Sequence, residues 1–201
     1  MVTRPYRSLV PPDSSATKVR ILEAARREFA QHGLAGARVD RIAAAAKANK
    51  RLLYVYFGSK EDLFDVVIEQ CLASAAAAIP FDATDLTGYA GALFDYLVAN
   101  PDTLRLTTWN QLERGESSEA SSAVYRRMIR DLADAQARHE VDATLRPGDL
   151  LALLQALVRA WFVASPALRR AATGKPWSAT RIAEHRAAVI TAVGGLVRNT
   201  G

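Results

Sequence analysis

Arg51, Leu52, Tyr54 and Val55 lie within five consecutive residues, and on a helix turning about 100° per residue Arg51 and Val55 point most directly away from the apolar pair Leu53 and Phe57. That outward face offers a guanidinium that can fork onto a guanine edge, a phenol for a phosphate, and aliphatic groups that can meet thymine methyls in a major groove. An ordinary surface helix is the plainer reading. Leu52 and Val55 weigh against it, since outward aliphatics beside an arginine and a tyrosine suit a contact surface better than bulk water. Charge agrees. From Arg38 to Lys60 six basic residues (Arg38, Arg41, Lys47, Lys50, Arg51, Lys60) face one acid, Asp40, a local balance of +5. Met1 to Gln70 carries a net +4 and Cys71 to Gly201 only +1, so the excess sits in the first third, where phosphate is the natural partner. The residues expected at such an interface are Arg38, Lys47, Asn49, Lys50, Arg51, Leu52, Tyr54, Val55, Tyr56 and Lys60.

The elements that must position these groups read as a helix-turn-helix. Val39, Ile42, Ala43 and Ala46 share one helical face, that helix ends near Ala46, and Asn49 can cap a second helix from Lys50 to Phe57. A first helix, Thr17 to His32, carries the stripe Ile21, Leu22, Ala25 and Phe29 and stops at Gly33. Ser59 to Asp62 spells an S-x-x-D capping signal, so a fourth helix starts there with Lys60 in its first turn, where helix-terminal N–H groups suit a phosphate. Its stripe Leu63, Phe64, Val67, Ile68, Cys71 and Leu72 runs out of the basic region, which places the domain boundary inside a helix. The alanine-rich run Ala73 to Ala78 continues it, and Ile79 to Ala83, with Pro80, is the first clear break.

The run from Ile21 to Phe64 resembles the DNA-binding domain of the TetR/AcrR family of bacterial transcription regulators. The likeness covers Lys18 to about Leu72. It rests on the ILxAAxxxF lead (Ile21 to Phe29), the LYxYF core (Leu53, Tyr54, Tyr56, Phe57) and GSKEDL (Gly58 to Leu63) at the family's spacing. Lys47 stands where the family usually has a turn glycine, and Ala37 where Thr or Ser is common. Leu52 and Val55 replace the more usual Thr and His. A lysine at a turn that needs positive φ is uncommon.

Composition sets the outer bounds. The chain has 201 residues with 23% charged residues and a pI near 9.6, enough for one or two small domains with real cores. A lone Cys71 excludes an intramolecular disulfide and a thiolate metal cluster, which suits a reducing cytoplasm. Met1 to Ala16 lacks the apolar run of a secretory signal and reads as a flexible basic arm. Either Arg4 and Arg7 reach a neighbouring minor groove, or the arm is an inert terminus.

After residue 84 the pattern is helical without a strand signal: roughly Thr84 to Ala99, Pro101 to Arg114, Ser121 to Glu140, Pro147 to Ala164, Pro166 to Ala172 and Ala179 to Asn199. Asn100-Pro101 and Ser165-Pro166 each set a capping residue before a proline at the first helical position. The expected architecture is therefore all-α: an arm over 1–16, a helix-turn-helix domain over 17–72, and a helical regulatory and dimerisation domain over 73–201. TWNQLERGE, ALVRAWFVASPALR and IAEHRAAVI also resemble the regulatory domain of a TetR subgroup. That resemblance implies a homodimer and a small-molecule pocket.

From the residues themselves, Leu150 to Phe162 is too apolar to stand free. Ile182, Val189, Ile190, Val193, Leu196 and Val197 form a stripe beside Gly194-Gly195, expected to be a dimer face, with packing inside one chain as the alternative. Effector contacts are expected among Tyr89, Phe94, Arg105, Trp109, Gln155, Arg159 and Phe162, with a largely apolar ligand body. The expected partners are palindromic double-stranded DNA, a small-molecule effector and a second copy of the chain, with no membrane. No cofactor, metal or catalytic set is expected: His32, His139 and His185 lie in separate segments, and no HExxH, P-loop, GxSxG or GxGxxG occurs. The alternative from another class is a helical-bundle enzyme acting on a small apolar substrate.

Overall fold

The computed structural model describes residues 14–115 and 118–197, and the arm with Arg4 and Arg7 lies outside them. Among the described residues there are ten helices and no strand, so the fold is all-α. In chain order they are α1 (Ser14–Gly36), α2 (Val39–Ala45), α3 (Lys50–Phe57), α4 (Lys60–Ala78), α5 (Leu86–Ala99), α6 (Pro101–Glu113), α7 (Glu119–Ala137), α8 (Pro147–Val163), α9 (Pro166–Ala172) and α10 (Ala179–Val197). They form two compact units. One holds the described residues within Met1–Cys71 and Asp102–Glu116, the other those within Leu72–Pro101 and Ser117–Gly201.

In the first unit, Ile21, Ala25 and Phe29 of α1 are fully buried beside Ile42, Leu53, Leu63 and Phe64, and Phe29 meets Phe64 edge-to-face at 5.0 Å. Such ring pairs add about 0.5–1.5 kcal/mol to plain burial. Gly33 breaks α1 as its position suggests, with φ +68 and ψ −177, yet the helix resumes for one more turn. The reason lies far along the chain. The Glu113 carboxylate accepts from Leu34 N and from Ala35 N (3.3 Å), supplying partners to N–H groups that the break leaves without helical ones. A Cβ on residue 33 would lie 2.8 Å from both Glu113 Oε1 and the Trp109 ring, so only glycine fits there.

Helix α6, which the sequence groups with the segments after it, has its side-chain partners in this first unit. Asp102 pairs with Arg26 at 2.8 Å, Thr103 accepts from Cys71 Sγ at 3.4 Å, Leu106 is fully buried, and Arg114 pairs with Asp65 at 2.8 Å. At the start of α4 the expected capping box closes: Ser59 Oγ accepts from Asp62 N, and Asp62 Oδ2 accepts from Ser59 N (2.8 Å) and Ser59 Oγ (2.7 Å).

In the second unit α5, α8 and α10 pack on one another and α7 packs on α8. Phe94, Leu150, Leu154, Val158 and Val193 are buried to within 1% of complete. Ser165 caps α9 through Leu168 N, whereas the Asn100 side chain turns back onto the Tyr96 carbonyl and closes α5 instead of opening α6.

Of the two covers expected for the apolar stripe of α10, the chain itself supplies one. Val193 is fully buried and Val189 nearly so, within a single chain, because this stripe covers α5 and α8. The outward side of α10 holds the small residues Ala183, Ala187, Ala188, Thr191, Ala192 and Gly195, with Glu184 beside them. Helix α8 shows a matching row of Ala152, Leu153, Ala156, Ala160 and Val163.

Candidate nucleic-acid interface

The corner between α1 and α2 is set by one acid. The Glu28 side chain is only 11% exposed, and its Oε1 accepts from Arg38 N (2.9 Å) and Arg41 Nε (2.7 Å). Burial by itself would raise this carboxyl. The Arg41 guanidinium and the Arg38 N–H outweigh it and hold the group below the ordinary glutamate value. Arg41 also donates to the Gly36 carbonyl at 3.0 Å, so this cation is a structural tie. Arg20 Nε reaches the Ala46 carbonyl at 3.2 Å and secures the other end of α2.

The turn between α2 and α3 needs one left-handed residue, and Lys47 supplies it with φ +50. A non-glycine residue there carries a steric cost of about 1–2 kcal/mol. Asn49 then caps α3 as expected, its side-chain oxygen accepting from Arg51 N at 2.8 Å. Leu53 is buried and Phe57 half-buried. On the opposite side Arg51 is exposed, Tyr54 is 48% exposed and Val55 65%, while Leu52 is only half-exposed at the edge of that face.

The expected contact cations sort into two groups. Lys50 pairs with Asp40 at 2.8 Å, an exposed bridge that keeps the ammonium protonated above its ordinary value, and Lys60 Nζ donates to the Ala37 carbonyl at 3.4 Å. Arg38, Lys47 and Arg51 are exposed, and their side chains make no hydrogen bond or ion pair with any described residue. Tyr56 is half-buried with the Lys18 ammonium 5.2 Å above its ring, which orients the phenol. What results is a two-helix wedge. Arg51, Tyr54 and Val55 form the outward face of α3, and Arg38 and Lys47 are exposed just before α2 and α3.

The residues expected to meet an effector divide between the two units. Arg105 and Trp109 belong to the first unit, Trp109 packing against Gly33, while Tyr89, Phe94, Gln155, Arg159 and Phe162 belong to the second. Phe94 is fully buried and meets Phe162 at 5.4 Å. Tyr89 lies edge-on to Phe81 at 5.0 Å, and burial first, with Tyr125 adding and Arg159 opposing, pushes its hydroxyl up to about 12. It therefore stays a neutral donor. Sequence reasoning overlooked Glu28 and Glu113, whose partners lie ten and about eighty residues away; nothing periodic marks such contacts.

No group of three or more His, Cys, Asp or Glu side chains able to hold a metal occurs among the described residues. No single helix among them is long and apolar enough to cross a membrane.

Comparison with known proteins fits this geometry. Residues 21–67 match the model of the bacterial regulatory proteins of the tetR family, and residues 85–194 match the tetracyclin repressor-like C-terminal domain. The chain is 42% identical over 166 residues to the HTH-type transcriptional repressor SCO4008 of Streptomyces coelicolor, spanning 81% of this chain and 86% of that one. It is 36% identical over 106 residues to the HTH-type transcriptional repressor NicS of Pseudomonas putida, about half of each chain. Among solved structures, SCO4942 of Streptomyces coelicolor, described as a transcriptional regulator, superposes with a TM-score of 0.80 at 40% identity, covering 90% of this chain and 98% of that one.

Proposed function

The chain belongs to the TetR family of bacterial regulatory proteins, and from that premise we propose that it is a cytoplasmic homodimeric repressor released from a palindromic operator by a small molecule. One observation carries the DNA part. Arg38, Lys47 and Arg51 are exposed on and just before α2 and α3, and their side chains have no partner among the described residues, while the neighbouring Arg41, Lys50 and Lys60 are each tied down. Cations left free beside Tyr54 and Val55 fit phosphates and base edges of a major groove, with Arg51 as the base reader and the others holding the backbone.

Two-fold symmetry in the protein requires a palindrome in the operator. The small-residue rows of α8 and α10 are the surfaces proposed to meet their copies in the second subunit, because alanines and glycine let helices approach closely over a long contact. The effector is assigned to the second unit, with Tyr89 and Arg159 among the groups able to orient it.

Footprinting of the purified protein on the intergenic DNA beside its own gene tests this reading. Protection of a symmetric site, lost as salt rises with a slope of about 0.9 per phosphate contact, is the expected result. Equal affinity for that DNA and for random duplex would refute it.

A further inference from the structure

Two nitrogens in the second unit are buried without a hydrogen-bond partner among the described residues, Arg181 Nε and His185 Nε2. They are four residues apart on α10, hence neighbours on one face, and both groups sit on the same indole. The Arg181 guanidinium carbon is 4.4 Å from the Trp161 ring centroid, and the His185 ring is 5.1 Å from it. Phe94 closes the far side of His185 at 5.8 Å. The segment joining α9 to α10 crosses this cluster. Pro176 O accepts from Trp161 Nε1 at 2.9 Å, and Trp177 lies 6.0 Å from Phe162 with Arg169 5.3 Å over its ring. Trp177 itself stays 52% exposed.

A buried polar nitrogen with no partner is costly, and here two lie one helical turn apart amid stacked rings. Packing alone would favour phenylalanine and methionine at these positions. The surrounding charge supplies a direction. From Arg159 to Arg186 the sequence has six basic residues and one acid; Asp95 pairs with Arg186 at 2.8 Å, and that one acid, Glu184, accepts from Arg181 Nη1 at 3.3 Å and leaves Nε without a partner.

We propose that Arg181 Nε and His185 Nε2 converge on the carboxylate of a small aromatic acid, whose ring enters among Trp161, Phe162 and Trp177 when the 173–178 segment lifts. His185 binds as the tautomer protonated on Nε2, so both nitrogens donate to the anion. Burial, and secondly Arg181, hold the imidazole below its ordinary value. The assignment deepens the effector reading and rests on it only for its regulatory meaning; binding itself is measured on the free protein.

The probe is benzoate, with benzyl alcohol as its uncharged counterpart, titrated against the full chain by tryptophan fluorescence and calorimetry. The expected result is saturable benzoate binding, with benzyl alcohol at least about tenfold weaker. Arg181→Lys keeps the charge above Trp161 but has no Nε–H, and His185→Phe keeps the ring but has no nitrogen. Each should weaken benzoate at least about tenfold. Without ligand, His185→Phe should melt at or above the wild-type temperature, because it discards a polar atom that has no partner.

Absence of saturable binding to the wild type, equal affinity for the two probes, unchanged affinity in either variant, or a lower melting temperature for His185→Phe would each overturn the site. The last outcome would show that the nitrogen belongs to the scaffold. Operator binding, followed separately without ligand, distinguishes the two failures: a chain that grips its operator yet ignores benzoate has lost this site and kept the regulator reading.

Discussion

Because the Arg51 side chain has no partner among the described residues, its replacement should alter which DNA sequence is read and leave the fold alone. Arg51→Ala is expected to relax preference at one position of each half-site at a cost of about 1–3 kcal/mol there. Selection of binding sites from a randomised half-site measures it; uniform weakening of all sequences would move Arg51 to the phosphate group. Glu28 gives the opposite pattern. Its carboxyl is held low in the folded chain, so the stability it contributes is present above the ordinary glutamate value and is lost as pH falls through the lower folded value. Glu28→Gln should therefore be less stable at neutral pH and approach the wild type in acid, as circular dichroism of acid unfolding would show. An unchanged acid limb would mean that the Arg38 and Arg41 contacts carry no net stability.

At the scale of elements, the turn between α2 and α3 sets two requirements against each other. Lys47 holds positive φ at a steric cost and leaves an exposed ammonium with no partner among the described residues. Lys47→Gly should raise the melting temperature by relieving up to about 1–2 kcal/mol, offset in part by unfolded-chain entropy, and should lower the salt slope of DNA binding by about 0.9. A more stable variant with an unchanged slope would place Lys47 off the phosphate path.

These local features were legible in advance. Asn49, Ser59 and Ser165 each announce a cap to the residues just after them, and the helical period of Ile21, Ala25 and Phe29 needs only neighbours. The α6 contacts were not legible, since Glu113 meets Leu34 and Asp102 meets Arg26 across 79 and 76 residues. The inward turn of Val193 was hidden for a related reason. An apolar stripe shows that a face is covered; it does not show whether the cover is the same chain or another copy.

For the whole molecule, this distinction separates two variants. Val193→Glu buries a charge in the second unit's core and should cost that unit its fold. A double variant, Ala156→Glu with Ala188→Glu, changes only outward positions on α8 and α10 and should give folded monomers with little operator affinity. Sedimentation and circular dichroism together decide: a dimeric double variant would remove these rows from the interface. Effector and operator must also weaken each other by the same factor, with a coupling of about 1–3 kcal/mol, and calorimetry with and without saturating operator reads it.

Cys71 offers a last consequence. It is the single thiol of the chain, 7% exposed, pushed above its ordinary value by burial, with its Sγ donating to Thr103 Oγ1. An alkylating reagent can reach it only when α4 and α6 part, so its labelling rate, divided by that of an unstructured thiol, counts how often this corner of the first unit opens. The native sequence thus carries its own clock for breathing motions, readable by mass spectrometry in the presence or absence of DNA.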